Sequence, residues 1–337
     1  MFTERIKRLQ ENVKDGVLFV DDPIDLYYLT GLHFSLGRLV ISVHFAKLFV
    51  DGRYIDVAKK QAPCDVFLLS EIKQHVPLGT LAFDSAFLSF ESYLNLQKEF
   101  PNSQFVPSPR PLKDLRIIKD EHEIALLKKA QQLTRAGLQY IVSLLKEGIS
   151  EEILALEFEF FCRKNGASKL SFAPIVAFGE NSAYPHHRAG KDRLKQNQIV
   201  LIDVGAVVDG YAGDMTRVEF FGNVDEQLQK DYALIKQVQK RVISHVKPGL
   251  HFGELDKIAR DGLDKEGCGA LFTHGLSHGI GLDVHEYPRL TISGGDSDLR
   301  LKPGMTFTVE PGIYRAGLGG VRYEDVVLVT NEGHVTL

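Results

Sequence analysis

Two stretches of this sequence repeat one another, and each carries acidic residues where a buried strand should have none. The first, KQNQIVLIDVGA at 195–206, leads into GYAGDMTRVEF; the second, KPGMTFTVEPGI at 302–313, leads into GGVRYEDVVLV. Aligned on their leading lysines, Asp203 falls on Glu310, and each stretch continues through a Gly-rich turn to a second acid, Asp214 or Glu324. Asp203 interrupts the apolar run IVLIDV and Glu310 closes TFTVE, settings that strongly disfavour an unpaired ionised acid. A solvent-facing strand edge would account for any one of the four. Matched placement in two repeats is better explained by hairpins related by a pseudo-two-fold axis and converging on one centre, where the mutual repulsion of four carboxylates calls for a cation. The expectation is a two-metal site.

Histidine narrows the chemistry. THGLSHGIGLDVHEYPR, residues 273–289, holds His274, His278 and His285 among glycines that permit close backbone approach, and at least one is expected as a ligand beside the second hairpin. Four carboxylates with an imidazole suit Mn(II), Co(II), Fe(II) or Zn(II), whereas an all-oxygen shell would favour Mg or Ca. The sequence has no four-cysteine cluster and no HExxH, so neither a structural zinc nor a mononuclear zincin is supported. Two divalent ions roughly 3.5–4 Å apart can share a water, lower its pKa and deliver hydroxide to a scissile carbonyl. Glu310 is the expected acceptor of that water's proton. Arg322, two residues before Glu324, carries a fork that matches a carboxylate, of a substrate or of a ligand residue.

The elements that must position these residues are readable in outline. VPSPRPLKDLRIIK at 106–119 holds three prolines and reads as a linker, dividing the chain into an α/β domain over 1–112 and an α+β domain over 113–337. In the first, short apolar runs (GVLFV, LVISV, KLFV, DVFLL, TLAFD) alternate with the helical stretches DVAKKQA and SYLNLQKEF. In the second, Asp120 and Glu123 form an Asp variant of the capping box ahead of a long helix reaching toward Leu145. A Ser150-led helix follows between Gly148 and Gly166; after a helix over 225–246, another lies between Gly249 and Gly267, 18 positions apart in each pair. The second domain thus reads as two related halves, with the carboxylates at their interface.

Composition bounds the rest. At 337 residues the chain exceeds what one core usually supports, and 44% apolar with 25% charged residues is ordinary for a globular protein. A net charge of -4 without a basic patch argues against nucleic-acid and membrane-surface partners. Three isolated cysteines, Cys64, Cys162 and Cys268, point to small core fillers in a reducing compartment, so a cytoplasmic protein is expected. No run approaches the roughly 20 apolar residues of a membrane span.

These motifs resemble a known family. LIDVGA, GYAGDMTR, GLSHGIGLDVHE, TVEPGIY and VRYEDVV occur in the order found in the pita-bread metallopeptidases, which include aminopeptidase P, prolidase, methionine aminopeptidase and the metal-free creatinase. YYLTGL, GRLVIS and FVDGRY are similar to the creatinase-type N-terminal domain, which methionine aminopeptidases generally lack. By this resemblance Asp203 and Asp214 bind one metal, Asp214, His278 and Glu310 the other, and Glu324 bridges both, with Mn(II) the first expectation. The resemblance also implies that His285 and His186 support the reacting carbonyl and the departing nitrogen; His187 is adjacent, and register alone separates the two. It implies a homodimer and peptide substrates with proline at the second position, through hydrolysis of the Xaa-Pro bond at the N-terminus of longer peptides or, alternatively, of Xaa-Pro dipeptides. A prolidase would close the site around a free carboxylate through Arg289 or Arg322. Tyr184, Tyr287 and Phe178 are candidate pocket aromatics. A metal-free binding module would be expected to have lost ligands, and all five ligand positions are filled.

Overall fold

The computed structural model describes every residue except 14, 292 and 293. The chain forms two compact units, Met1–Arg116 and Ile117–Leu337.

In the first unit the apolar runs become a six-stranded mixed sheet: β1 (Val17–Val20), β2 (Gly37–Ile41), β3 (Ala46–Val50), β4 (Asp65–Leu68), β5 (Thr80–Phe83) and β6 (Gln104–Pro107), in the order β4-β3-β2-β1-β5-β6. β2 pairs antiparallel with β1 and β3, while the remaining neighbours run parallel. β1 is buried along its whole length, which is why VLFV shows no polar alternation. Helix Pro23–Thr30 follows from local rules: the Asp22 carboxylate accepts from Ile24 N, proline opens the helix, and Gly31 closes it at φ 73°. The Pro-rich segment begins differently from expectation. Val106 and Pro107 belong to β6, with Pro107 opposite Phe83, and an edge strand tolerates the missing N–H. The first of the three prolines therefore marks a sheet edge rather than the start of a linker.

In the second unit, helix Glu121–Ser143 opens with the expected box: the Asp120 carboxylate accepts from Glu123 N while Glu123 accepts from Asp120 N. Helix Glu151–Lys164 follows, then β7 (Lys169–Leu170), β8 (Ile175–Phe178), β9 (Gln198–Val204), β10 (Ala206–Val208), β11 (Tyr211–Ala212) and β12 (Met215–Phe221). The second half has helices Glu226–Ser244 and Phe252–Asp264, then β13 (His278–Gly279), β14 (Glu286–Arg289), β15 (Thr306–Val309), β16 (Gly312–Arg315), β17 (Gly319–Arg322), β18 (Asp325–Val329) and β19 (His334–Thr336). Gly148, Gly166, Gly249 and Gly267 all hold φ between 70° and 104°, so the same left-handed punctuation bounds the second helix of each half. With the α/β first unit, this is the pita-bread architecture expected of the sequence.

The hairpins also correspond. β9 pairs antiparallel with β12, and β15 with β18. Alternation along β9 sends Val200, Ile202 and Val204 into a core with Ile141, Leu154 and Phe158 of the first two helices. Ile199 and Leu201 enter the core that also holds Phe307, Val309 and Val327 of the second half. Both faces of β9 are apolar, and Asp203, of the same parity as Ile199 and Leu201, lies on the face toward the other half. Cys162 and Cys268 fill these cores, Cys64 is half-buried, and all three are free. Among the described residues no helix is long and apolar enough to cross a membrane.

Candidate metal centre and active site

Close backbone packing brings the first pair of acids together. A Cβ on Gly205 would overlap the Gly213 carbonyl oxygen, and one on Gly213 would strike Thr134 Oγ1 and lie 2.8 Å from Ala130 O. The hairpin thus seats directly against helix Glu121–Ser143. There Ala206 N donates to Thr134 Oγ1 at 3.0 Å and Gln131 Nε2 donates to Asp214 O at 3.1 Å. Gly213→Ala is expected to destabilise the protein by about 1–3 kcal/mol through overpacking. A lowered urea midpoint with an unchanged m-value would show it; an unchanged midpoint would mean that the helix yields to the extra methyl.

Asp203, Asp214, His278, Glu310 and Glu324 are drawn together from the two hairpins and β13. His278 Nε2 lies 3.3 Å from Glu310 Oε1 and 3.7 Å from Asp214 Oδ2, and ligand atoms of Asp214, His278 and Glu324 all lie within 4.8 Å of one another. Burial pushes Asp214 and Glu310 well above the ordinary carboxylate range, and their acidic neighbours push the same way. Glu324 is raised from 4.5 to about 8, by burial and then by Asp203. Burial lowers His278 to about 3, followed by the influence of His285. Its Nδ1 sits 3.1 Å from Gly279 O, which places the proton on Nδ1 and leaves the Nε2 lone pair toward the acids. Among the described residues Asp203 Oδ1 is buried without a hydrogen-bond partner. Strained acids, a neutral imidazole and an orphan carboxylate oxygen form a donor set that fits divalent cations with mixed O/N ligation.

A second layer of side chains orders the first. Arg322 is 3% exposed: NH2 donates to Asp203 Oδ2 at 2.6 Å, NH1 to Tyr314 Oη at 2.8 Å and Nε to Thr216 Oγ1 at 3.1 Å. Its fork is thus engaged by protein, holding Asp203 and Thr216 at the edge of the cavity that it also lines. Thr216 Oγ1 donates to Glu324 Oε2 at 2.7 Å, and Thr308 Oγ1 to Glu310 Oε1 at 3.3 Å. Tyr314, accepting from Arg322, donates its proton to His274 Nε2 at 2.8 Å, while His274 Nδ1 sits 2.9 Å from Gly275 O. Burial lowers His274 to about 4, with Arg322 adding to it, so it too is neutral. Sequence reasoning missed Tyr314, Thr216 and Thr308. Their signal was spacing: each lies two or four positions from one of the acids.

A cavity of about 1010 Å³ opens onto the acids, lined by His186, His187, Arg188, His274, His278, His285, Arg289 and Arg322 among its polar residues. His285 packs its ring 4.3 Å from that of His278. His186 is exposed to the cavity, whereas His187 Nε2 is 2.8 Å from the buried Glu151 carboxylate. The apolar wall comes from Ala155, Leu156, Phe172, Pro174, Ile175, Pro185 and Leu290. Tyr184, Tyr287 and Phe178 are absent from the described lining: Phe178 is buried in the core, Tyr287 packs against the other core, and Tyr184 is 65% exposed. The sequence showed aromatic character but not which side of the chain each ring occupies.

Residues 125–331 match the model of metallopeptidase family M24, and residues 4–118 match the creatinase/prolidase N-terminal domain. The chain is 34% identical to the Xaa-Pro dipeptidase of Pyrococcus furiosus over 333 residues, 97% of this chain and 94% of that protein. Among solved structures it is similar to the Xaa-Pro dipeptidase from Bacillus anthracis, with TM-score 0.92 and 33% identity over 99% of this chain and 96% of the other. It also resembles an X-Pro aminopeptidase from Thermotoga maritima, with TM-score 0.89 and 27% identity over 98% and 97% of the two chains.

Proposed function

This chain belongs to metallopeptidase family M24, and on the geometry of its site we propose that it is an Xaa-Pro dipeptidase, a metal-dependent exopeptidase of the prolidase type. The convergence of two Asp, two Glu and His278 on one buried point carries the reading. Removal of an N-terminal residue from longer Xaa-Pro peptides, the first expectation from the sequence, gives way to its alternative. Relatives matched over nearly their whole length bear the dipeptidase name, and Arg289 stands at the cavity wall next to His285. The Thermotoga maritima aminopeptidase keeps the longer-peptide reaction as the rival outcome.

The donor set suits two divalent ions of the group Mn(II), Co(II), Zn(II) and Fe(II), of which the family resemblance puts Mn(II) first. Asp203 and Asp214 would hold one ion, Asp214, His278 and Glu310 the other, and Glu324 both. Such a pair supplies Lewis acidity and a water of lowered pKa. The chain's own residues do the rest. Glu310, beside His278 and oriented by Thr308, is placed to take a proton from the attacking water. His186 and His285 face the cavity and would support the carbonyl oxygen as it turns negative and the departing nitrogen, and the proton taken up by Glu310 would pass to that nitrogen, which as a tertiary amide brings none of its own. Arg322 and Thr216 keep Asp203 and Glu324 fixed as charge develops.

Arg289, whose NH2 donates to His285 O at 2.7 Å, is our receptor for the substrate's terminal carboxylate. Arg289→Ala is expected to raise KM for Ala-Pro by about 10- to 100-fold with a small effect on kcat, since a charge-assisted pair is worth roughly 1.5–3 kcal/mol. Equal KM values for variant and wild type would remove Arg289 from that role. The function itself is tested by offering Ala-Pro and Ala-Pro-Ala to Mn(II)-loaded and chelated protein and identifying products by mass spectrometry. Chelator-sensitive cleavage of Ala-Pro in preference to the tripeptide is the expected result. Preference for the tripeptide would give an aminopeptidase, and no cleavage of either with metal bound would move a binding function to the front.

A further inference from the structure

Glu151 is fully buried at the first position of helix Glu151–Lys164, and the reaction outlined above does not use it. Its carboxylate nevertheless accepts four hydrogen bonds. Oε1 takes Phe178 N at 2.9 Å and Asn181 Nδ2 at 2.9 Å; Oε2 takes His187 Nε2 at 2.8 Å and Gly190 N at 3.0 Å. The donors come from both ends of one segment, which leaves β8 at Phe178, presents Pro185, His186 and Arg188 to the cavity, and returns through Gly190 toward β9. Backbone bonds fasten the same helix start to the returning strand, Glu152 N to Gly190 O at 2.9 Å and Glu151 N to Asp192 O at 3.2 Å. On the opposite side Gly320 N donates to Ser182 Oγ at 2.8 Å, so the hairpin that carries Arg322 fixes the segment's inner flank.

We infer that Glu151 is a positioning residue that holds His186 at the reaction centre, with His187 as its strut rather than as an acid or base. Only an ionised carboxylate can accept four donors on two oxygens. An amide in its place turns two of its own N–H groups toward two of those donors, and the segment loses the two bonds made to one of the carboxylate's oxygens. The hydrogen bond to Glu151 also occupies His187 Nε2, which separates two histidines that adjacency in sequence leaves equivalent.

The link to turnover rests on the proposed peptidase reading; the fastening does not, and the experiment reads the two separately. Arg188, exposed at the tip, is a tryptic site inside the segment. In Glu151→Gln, and independently in His187→Leu should the first variant fold poorly, trypsin is expected to cut after Arg188 about tenfold faster or more, because cleavage follows local opening. Unaltered cleavage in both variants overturns the fastening, whatever the peptidase assay shows. With Ala-Pro, kcat is expected to fall by about 100-fold with KM within about threefold, as displacement of a supporting group by about 1 Å can do. Faster cleavage with an unchanged kcat overturns the positioning role. His187→Gln, whose amide N–H can replace the ring N–H, should recover most of the loss seen in His187→Leu; failure to recover, with the segment again protected from trypsin, would give His187 chemistry of its own. If wild-type protein cleaves no Xaa-Pro peptide while the tryptic difference persists, the peptidase reading fails and the fastening stands.

Discussion

Asp214→Asn is expected to reduce Xaa-Pro hydrolysis by about 10³-fold or more, with loss of bound metal and an unchanged fold. Asp214 is 4% exposed and faces both His278 and Glu324, so its carboxylate would serve both ions. Lewis-acid stabilisation is worth several kcal/mol, and about 1.4 kcal/mol corresponds to tenfold in rate. The substitution keeps shape and backbone: Gln131 still bonds the carbonyl of residue 214, and Gly213 still packs on Thr134 and Ala130. It also has a second, opposite consequence. In metal-free protein the Asp214 charge is opposed by burial and by Glu324, Asp203 and Glu310; a neutral amide removes that repulsion and can donate to an acid. Chelated Asp214→Asn should therefore unfold at a temperature equal to or above that of chelated wild type, although its activity is lost. Near-wild-type turnover with two metals bound would sink the assignment of Asp214. A large drop in metal-free stability would sink the electrostatic account.

What could be read in the sequence and what could not divide along physical lines. The four acids were legible because each lies within or at the end of an apolar strand, and their significance was legible because the pattern occurs twice at the same offset. The helices were legible because caps and punctuating glycines are local: Asp120 with Glu123, and Gly148, Gly166, Gly249 and Gly267. Contacts that depend on chain folding were not. Thr216 reaches Glu324 across 108 positions, and Tyr314 reads as an ordinary aromatic until Arg322 and His274 are seen on its hydroxyl. Glu151 sits among other acids in EEILALEFEF, where the default reading is a solvated helix face, and only the return of the 178–190 segment over the helix start buries it. Arg322 could be recognised as a carboxylate partner from its guanidinium, but which carboxylate it meets is a matter of register: β16 and β17 pair so that Arg322 lies opposite Gly312, close under Asp203.

The same electrostatics predict that the metal-free protein loses stability as pH rises from about 6.5 to 8, the reverse of what an ordinary surface carboxylate produces. Glu324 is raised from 4.5 to about 8, and Asp214 and Glu310 lie well above their ordinary values, so over this window the folded protein retains protons that the unfolded chain has released. Stability contributed by a raised carboxyl is fully present below its unfolded pKa and lost as pH climbs through the folded one. His278 and His274, lowered from 6.5 to about 3 and about 4, act in the opposite sense: stability present above 6.5 is lost as pH falls. Above 6.5 the histidine contribution fades as the unfolded imidazoles lose their remaining protons, and the acids dominate the slope. Glu324 by itself accounts for roughly 2 kcal/mol between pH 6.5 and 8, from about 1.4 kcal/mol per pKa unit. In a unit of this size that lowers the melting temperature by about 5 °C. Divalent metal should abolish or invert the slope, because binding requires ionised acids, strengthens as pH rises and stabilises only the folded form. Melting curves of chelated and Mn(II)-loaded protein at pH 6.5 and 8 decide it: the two should diverge as pH rises. Parallel curves would mean that the acids are already ionised without metal, and the cluster would then be held by something other than the cations its geometry calls for.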